Sequence, residues 1–296
     1  MLKISKRITV FLIVFLSWAE FSFADDGFNG FFRSANDKPY GWSKVEKPDP
    51  VRLGQYGQRF ELRSGDCGSS GGWNDCSTDR ERSEMSSHRK FHMGDEVWIA
   101  WSVFFPKNYW SSDDFNTCVG QIHQSGGFNG IAGGFESHPP LIQMETKEGY
   151  LSVMYHELSG EASNIEDRGL VTELVPLETL KGRWTDVMLH VKFSKQDGFL
   201  EVYLNGKKKY DIRKDANLLV KHHDKLKQLK KETNFIIFEP KDFFFKYGIY
   251  RSFISRYTNK TGAGVPTQVL YYDEVRVGNS RADVDLNGSQ PPPPVD

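Results

Sequence analysis

From Trp184 to Ile212 the chain spells out an antiparallel meander. Thr185, Val187, Leu189, Val191 and Phe193 alternate with Trp184, Asp186, Met188, His190 and Lys192, the two-residue period of a strand with two distinct faces. Asp197-Gly198 then leads into Phe199–Leu204, and Asn205-Gly206 into Lys207–Ile212. Both dipeptides supply the positive-φ residues that tight hairpins need, so three neighbouring strands are predicted. The alternation recurs at residues 95–105, where Val97, Ile99, Trp101 and Val103 share a face and Pro106 ends the run. Further strands are predicted at residues 58–63, 116–124, 141–147, 150–156, 234–239, 243–251 and 268–277. Residues 25–57 show no period and read as an extended lead-in. Residues 215–231 form the one good helix candidate, with Asp215 as cap and Leu218, Leu219, Leu226 and Leu229 as a modest apolar stripe. Its lysines, with Lys207, Lys208 and Lys209, read first as a solvated basic face, with a contact surface for a polyanionic ligand as the alternative. Many strands and one helix predict an all-β chain: an antiparallel β-sandwich with one short helical insertion.

The N-terminus has the form of a secretory leader. Lys3, Lys6 and Arg7 precede an apolar run from Ile8 to Trp18, and Ser22-Phe23-Ala24 places small residues before a cleavage point at Asp25. The run is too short and wrongly flanked to span a bilayer. The chain is therefore expected to be secreted or periplasmic, with no membrane association once the leader is gone. Removing residues 1–24 takes three basic groups and Glu20 from the 38 basic and 39 acidic residues, leaving 35 against 38, a net charge of −3. That balance argues against a nucleic-acid partner. Residues 25–284 are expected to form a single domain and residues 285–296, with Pro291 to Pro294, a disordered or polyproline-like tail. Cys67 and Cys76 flank a Gly/Ser/Asn-rich loop and are expected to pair in an oxidising compartment. Cys118 alternates with Gly120 and Ile122, so it reads as a buried core thiol on the face opposite Gln121 and His123.

Three separated segments offer polar pairs at strand spacing. In residues 243–251, Lys246, Gly248 and Tyr250 fall on one face and Phe245, Tyr247 and Ile249 on the other. Gln121-Ile122-His123 and Arg82-Ser83-Glu84 repeat the pattern, and Gln143 and Glu145 share a face of another strand. Together they suit an acidic sugar chain. A uronate carries a proton at C5 beside its carboxylate and a leaving oxygen at C4. Removing that proton requires the carboxylate charge to be neutralised, a base at C5 and an acid at O4. Arginine and an amide can clamp a carboxylate. Histidine can accept a proton near neutrality. Tyrosine can donate to the leaving oxygen, or serve as base if a cation such as Lys246 lowers its pKa. No metal or other cofactor is required.

Arg82-Ser83-Glu84, Gln121-Ile122-His123 and Phe244-Phe245-Lys246-Tyr247-Gly248-Ile249-Tyr250 resemble, in order and form, the three signature blocks of alginate-lyase-type jelly-roll polysaccharide lyases. The last block, with Lys-x-Gly-x-Tyr-Arg, is still more similar to the heparin lyase I and glucuronan lyase branch. The resemblance implies a lectin-like jelly roll over most of residues 55–280 and β-elimination on an acidic polysaccharide; the chain is expected to be a monomer. It implies Tyr250 as the acid and in some members the base, and His123 as base or neutraliser. Gln121 and Arg82 would hold the carboxylate, with Lys246 in support. Glu84, Arg251, Gln143 and Glu145 are expected to line the substrate site, Glu84 chiefly by orienting Arg82. Tyr247 and Arg251 depart from the alginate pattern, which points away from alginate as substrate. Heparin lyases can hold a structural calcium, to which Asp273 and Glu274 could contribute here, but no metal site is predicted.

Two rivals share this fold. A glycoside hydrolase needs two carboxylates at catalytic separation, and Gln143/Glu145 supplies one. A non-catalytic carbohydrate-binding protein needs aromatic platforms and has no use for Tyr250 as an acid. His88, His92, His138, His156 and the adjacent His222-His223 show no metal-binding spacing.

Overall fold

The computed structural model describes residues 30–34, 36, 38–70, 73–125, 140–161, 164–194, 197–212 and 242–286. The leader, the helix expected at 215–231, the strand expected at 234–239 and most of the terminal tail lie outside them. The strands are β1 (Phe31–Ser34), β2 (Trp42–Glu46), β3 (Tyr56–Leu62), β4 (Ser69–Ser70), β5 (Trp73–Asn74), β6 (Arg80–Ser87), β7 (Glu96–Phe104), β8 (Asn116–Ser125), β9 (Ile142–Lys147), β10 (Tyr150–Glu161), β11 (Asn164–Pro176), β12 (Trp184–Lys192), β13 (Phe199–Leu204), β14 (Lys207–Ile212), β15 (Asp242–Ser252) and β16 (Gln268–Gly278). Two short helices, α1 (Ser255–Thr261) and α2 (Arg281–Val284), flank β16.

Two seven-stranded antiparallel sheets result. One runs β1-β6-β15-β8-β9-β10-β11, the other β14-β13-β12-β7-β16-β3-β2. The three strands pair as expected, β12 with β13 and β13 with β14, and the second turn closes through Asn205 (φ +48°) and Gly206 (φ +75°). β12 also pairs with β7, which sets Leu189 beside Ile99 and Val187 beside Trp101. The expected inward faces of both strands are buried, and one core cluster fills the space between the sheets. From the first sheet it takes Met85, Val119, Ile122, Ile142, Met144, Phe245, Tyr247 and Ile249, and the Trp101 and Phe245 rings meet across it at 5.1 Å. The chain is thus an all-β sandwich in which the first sheet has an apolar inner face and a polar outer one.

Three elements escape the period-two reading. β1 and β2 come from the lead-in and add one edge strand to each sheet. β11, a mixed and charged segment, is the other edge of the first sheet. Edge strands carry less of the core, so their sequences need not alternate.

The strands β8 and β15 are irregular where they pair. Between the Tyr247–Gly120 and Tyr250–Cys118 rungs, β15 advances three residues while β8 advances two. Against β9, β8 carries one extra residue between Cys118 and Gly120. Val119 and Gly120 therefore both face the second sheet: Val119 joins the core, and a Cβ on Gly120 would lie 2.6 Å from Trp101. Such bulges leave carbonyls off the ladder. The Tyr272 hydroxyl, reaching from β16, meets two of them: it lies 2.7 Å from the Gly248 oxygen and 3.0 Å from that of Val119.

Candidate active site

Four adjacent strands, β6, β15, β8 and β9, gather the polar pairs on the face turned away from the second sheet. Tyr250 stands opposite Arg82, and Gly248 opposite Glu84. Lys246 stands opposite Gln121, which in turn faces Gln143. Three segments separated by up to 168 positions in sequence (Arg82 to Tyr250) thereby become neighbours on one sheet.

Glu84 is the centre of this constellation. Lys246 Nζ donates to its Oε2 at 2.6 Å, Gln121 Nε2 to its Oε1 at 2.6 Å, and Arg82 Nη1 reaches Oε2 at 3.4 Å. Glu84, Lys246 and Gln121 are each at most 4 % exposed. Burial pushes the Lys246 ammonium below its usual range, and Glu84 works against that shift. A buried pair of this kind costs desolvation and mainly fixes geometry. Gln121 Oε1 is buried without a hydrogen-bond partner among the described residues.

Arg82 is gripped from its other side. Its Nε and Nη2 donate to the two oxygens of Asp75, each at 2.6 Å, a bidentate fork that fixes the guanidinium plane. Burial disfavours the charge, but Asp75 and Glu84 more than offset it and hold Arg82 above its ordinary pKa. Asp75 is itself buried, accepts a hydrogen bond from the Gly68 amide at 2.9 Å, and directly precedes Cys76. Cys67 and Cys76 form the expected disulfide, so the covalent loop holds the carboxylate that holds Arg82.

Tyr250 and His123 are less deeply covered than this floor, each being half-buried. The Arg82 guanidinium lies 4.6 Å from the Tyr250 ring centre. Burial raises the Tyr250 pKa, while the charges of Arg82 and then Arg80 pull it down; the net direction is up, so the phenol keeps its proton. The leading cations acting on it are these two arginines. His123 Nδ1 lies 2.8 Å from the Gln124 carbonyl oxygen, which can only accept. That contact puts the proton on Nδ1 and leaves Nε2 as the basic nitrogen. Its ring stacks on Phe244 at 5.3 Å.

Several expectations are redrawn. Arg251 does not line the substrate face. It is fully buried on the inner face, with Nη2 2.5 Å from Glu81 and donating to the Arg63 carbonyl, and Nη1 donating to the Pro266 carbonyl. Parity is the reason: it follows Tyr250 by one residue and so points the opposite way. Cys118, in contrast, lies on the outer face with Gln121, because the bulge at Val119-Gly120 reverses the alternation between them. Its burial and the nearby Glu84 charge keep the thiol well above its ordinary pKa, which makes it a poor nucleophile. Glu84 contacts Arg82, Lys246 and Gln121, and both its oxygens are taken by these side chains rather than open to a substrate. Gln143 and Glu145 lie on the outer face beside Gln121, almost wholly covered, with Glu145 held by Asn116 at 2.7 Å. Gly248 (φ +127°) makes room for the protein's own backbone: a Cβ there would lie 2.8 Å from Glu84 Cα and 2.9 Å from the Phe60 ring.

Asp273 and Glu274 do not fit a calcium site. Asp273 accepts from the backbone amides of Arg52, Leu53 and Glu274, and Glu274 pairs with Arg276. No cluster of three or more His, Cys, Asp or Glu suited to a metal occurs among the described residues. Asp75, which holds Arg82, is the residue of this constellation that the strand pattern could not reveal; its one signal is its place beside Cys76, seven positions before Arg82.

Comparison with known proteins gives the family and the fold. The family model described as polysaccharide lyase matches residues 28–276. Among solved structures, an endo-β-1,4-glucuronan lyase from the fungus Trichoderma reesei superposes with a TM-score of 0.61 at 17 % identity, over 88 % of this chain and 95 % of that one. A family 7 alginate lyase, A1-II′, in complex with substrate superposes with a TM-score of 0.50 at 14 % identity, over 85 % of this chain and 95 % of that one. At such identities the likeness establishes the jelly-roll fold. No curated protein sequence matches the chain.

Proposed function

The chain belongs to the polysaccharide lyase family, and from that premise we propose that it cleaves a uronate-containing, acidic polysaccharide by β-elimination. The observation that carries the reading is the placement on one sheet face of a protonated phenol, an arginine fixed 4.6 Å from its ring and, on the neighbouring strand, an imidazole whose Nδ1 faces a carbonyl. Arg82, held by Asp75 and Glu84, donates its remaining N–H groups to the substrate carboxylate, which stabilises the charge that develops there and acidifies the C5 proton. His123 Nε2 takes that proton. The electron pair left at C5 forms the C4=C5 double bond as the C4–O4 bond breaks, and Tyr250 gives its proton to the departing O4. Solvent then returns a proton to Tyr250 and removes one from His123. The products are an unsaturated uronate end and a new reducing end. Gln121 and Lys246 lie between base and acid in the sheet, beneath the position of the reacting sugar. The buried, unpartnered Gln121 oxygen is an acceptor suited to a sugar hydroxyl.

Glucuronan is the first substrate to test, since the glucuronan lyase has the higher TM-score of the two structures compared and Tyr247 and Arg251 depart from the alginate pattern. The working enzyme is taken as a monomer with one jelly-roll domain over residues 25–284, followed by the tail at 285–296. Export through removal of residues 1–24 is supported by the Cys67–Cys76 disulfide, a bond of oxidising compartments. Among the described residues no helix is long and apolar enough to cross a membrane.

An ultraviolet assay on glucuronan, alginate, heparin, heparan sulfate, hyaluronan and pectate tests the reading, because elimination creates a conjugated chromophore and hydrolysis does not. The expected result is a rise on one class, reduced by about 10²-fold or more in Tyr250→Phe and in His123→Ala. New reducing ends without absorbance would identify a hydrolase instead, and binding without either product a lectin.

A further inference from the structure

The catalytic face continues past Tyr250 into a cationic patch that the elimination chemistry does not use. Arg80 pairs across the sheet with Ser252, one same-face step beyond the Arg82–Tyr250 rung. That step is two residues, roughly 7 Å along the strand. The chain then turns sharply at Phe253, whose φ of +64° is rare for a bulky residue. The turn is held by the Phe253 amide on the Asp79 carbonyl (3.0 Å) and by the Asp79 carboxylate on the Ser255 amide (2.8 Å) and hydroxyl (2.7 Å). The strained residue buries little for its cost, since Phe253 is 40 % exposed. Its ring instead carries two guanidinium groups, Arg80 at 4.0 Å and Arg256 at 4.5 Å.

Neither arginine forms an ion pair with a described residue. Arg80 donates to the Thr78 and Asp79 carbonyls (2.9 and 3.0 Å), which positions it without neutralising it. Asp79 is committed to Ser255. Arg256 is exposed at the start of α1, and that helix is anchored by the Tyr257 ring against Trp110 at 5.4 Å. The result is a pair of cations over one aromatic ring, Arg80 held by two carbonyls and Arg256 by the ring, beside the acid that protonates O4.

We propose that Arg80, Phe253 and Arg256 form a binding subsite for the anionic group of the sugar adjacent to the one being cleaved. The ligand chemistry is a carboxylate or sulfate on a pyranose, held by the two guanidinium groups at the edge of the ring. The proposal rests on the polysaccharide reading of the Tyr250 site and names what lies next to it.

Binding in the Tyr250→Phe background tests it, since affinity is then read without turnover. Titration calorimetry with polyglucuronate (carboxylate only), dextran sulfate (sulfate only) and neutral dextran separates the anion sources. Binding to at least one anionic polymer is expected, weakened about tenfold by Arg256→Gln and by Phe253→Asn. Asparagine tolerates the left-handed conformation, so the second variant removes the ring while keeping the turn. Lys209→Gln removes the same charge from β14 at the far edge of the other sheet and is expected to leave affinity unchanged. Equal weakening by Lys209→Gln, no weakening by Arg256→Gln and Phe253→Asn, or no binding to either anionic polymer would overturn the subsite. Polymer binding that depends on Arg256, with no absorbance from the wild-type enzyme on any polyuronide, would sustain the subsite and overturn the lyase mechanism.

Discussion

At Asp75 a side chain that touches no substrate in the proposed mechanism sets the orientation of one that does. Asp75→Asn keeps the volume but turns one of the two acceptors on Arg82 into a donor, so the fork opens. The expected outcome is a fall in kcat of roughly ten- to a hundredfold, the worth of one charge-assisted hydrogen bond, with an unchanged circular dichroism spectrum. Steady-state kinetics beside the spectrum checks it. Tyr250 makes a second prediction through its proton. As general acid it must be protonated, and its pKa is raised above 10.0 by burial. Activity limited by this group is therefore retained on the low-pH side and lost only as pH rises through a value above about 10. A rate profile taken from pH 7 upward reads this directly; if Tyr250 were the base, the rate would climb over that range instead. The Arg82, Glu84, Gln121, Lys246 and Tyr250 positions were legible in the sequence because strand alternation puts each on a polar face. Asp75 was not, because a Gly/Ser/Asn-rich loop has no period from which to read direction.

The pairing of β8 with β15 shows where alternation stops being a guide. Arg251 obeys it and is carried inward to Glu81, while Cys118 is carried outward because β8 holds an extra residue at Val119-Gly120. A bulge is a property of two strands in register, and neither strand's own sequence reports it. Gly248 is the point at which this irregular pair tolerates no substitution. Gly248→Ala would force an L side chain to φ +127° and set its Cβ against Glu84 Cα and the Phe60 ring. A loss of about 3 kcal/mol or more is expected, from backbone strain plus overpacking. Urea unfolding of wild type and variant measures it as a lower midpoint at similar slope. Strands that build the core, such as β7 and β12, were visible from their apolar period, whereas the edge strands β1, β2 and β11 bury too little to need one.

For the molecule as a whole, the Cys67–Cys76 bond joins stability to the site. It closes a separation of nine residues, for which the chain-entropy account gives about 2.5 kcal/mol. Replacing both cysteines with serine should lower stability by that order. Activity should fall further than the folded fraction does, because Asp75 loses its anchor to Arg82. Activity assayed at a temperature where the variant remains folded by circular dichroism separates the two effects, and a rate that tracks the folded fraction would show that the loop has no part in placing Arg82. The sequence by itself determined the fold class, the meander, the disulfide and the side chains that could supply acid, base and carboxylate clamp, because turn chemistry and period-two burial are local and leave a local trace. Only the tertiary structure decided that Glu84 ties Lys246, Gln121 and Arg82 together, that Asp75 fixes Arg82, and that Arg251 is withdrawn from the site. Those outcomes depend on which strands become neighbours and in what register, and cross-strand pairing joins residues whose sequence separation carries no record of it.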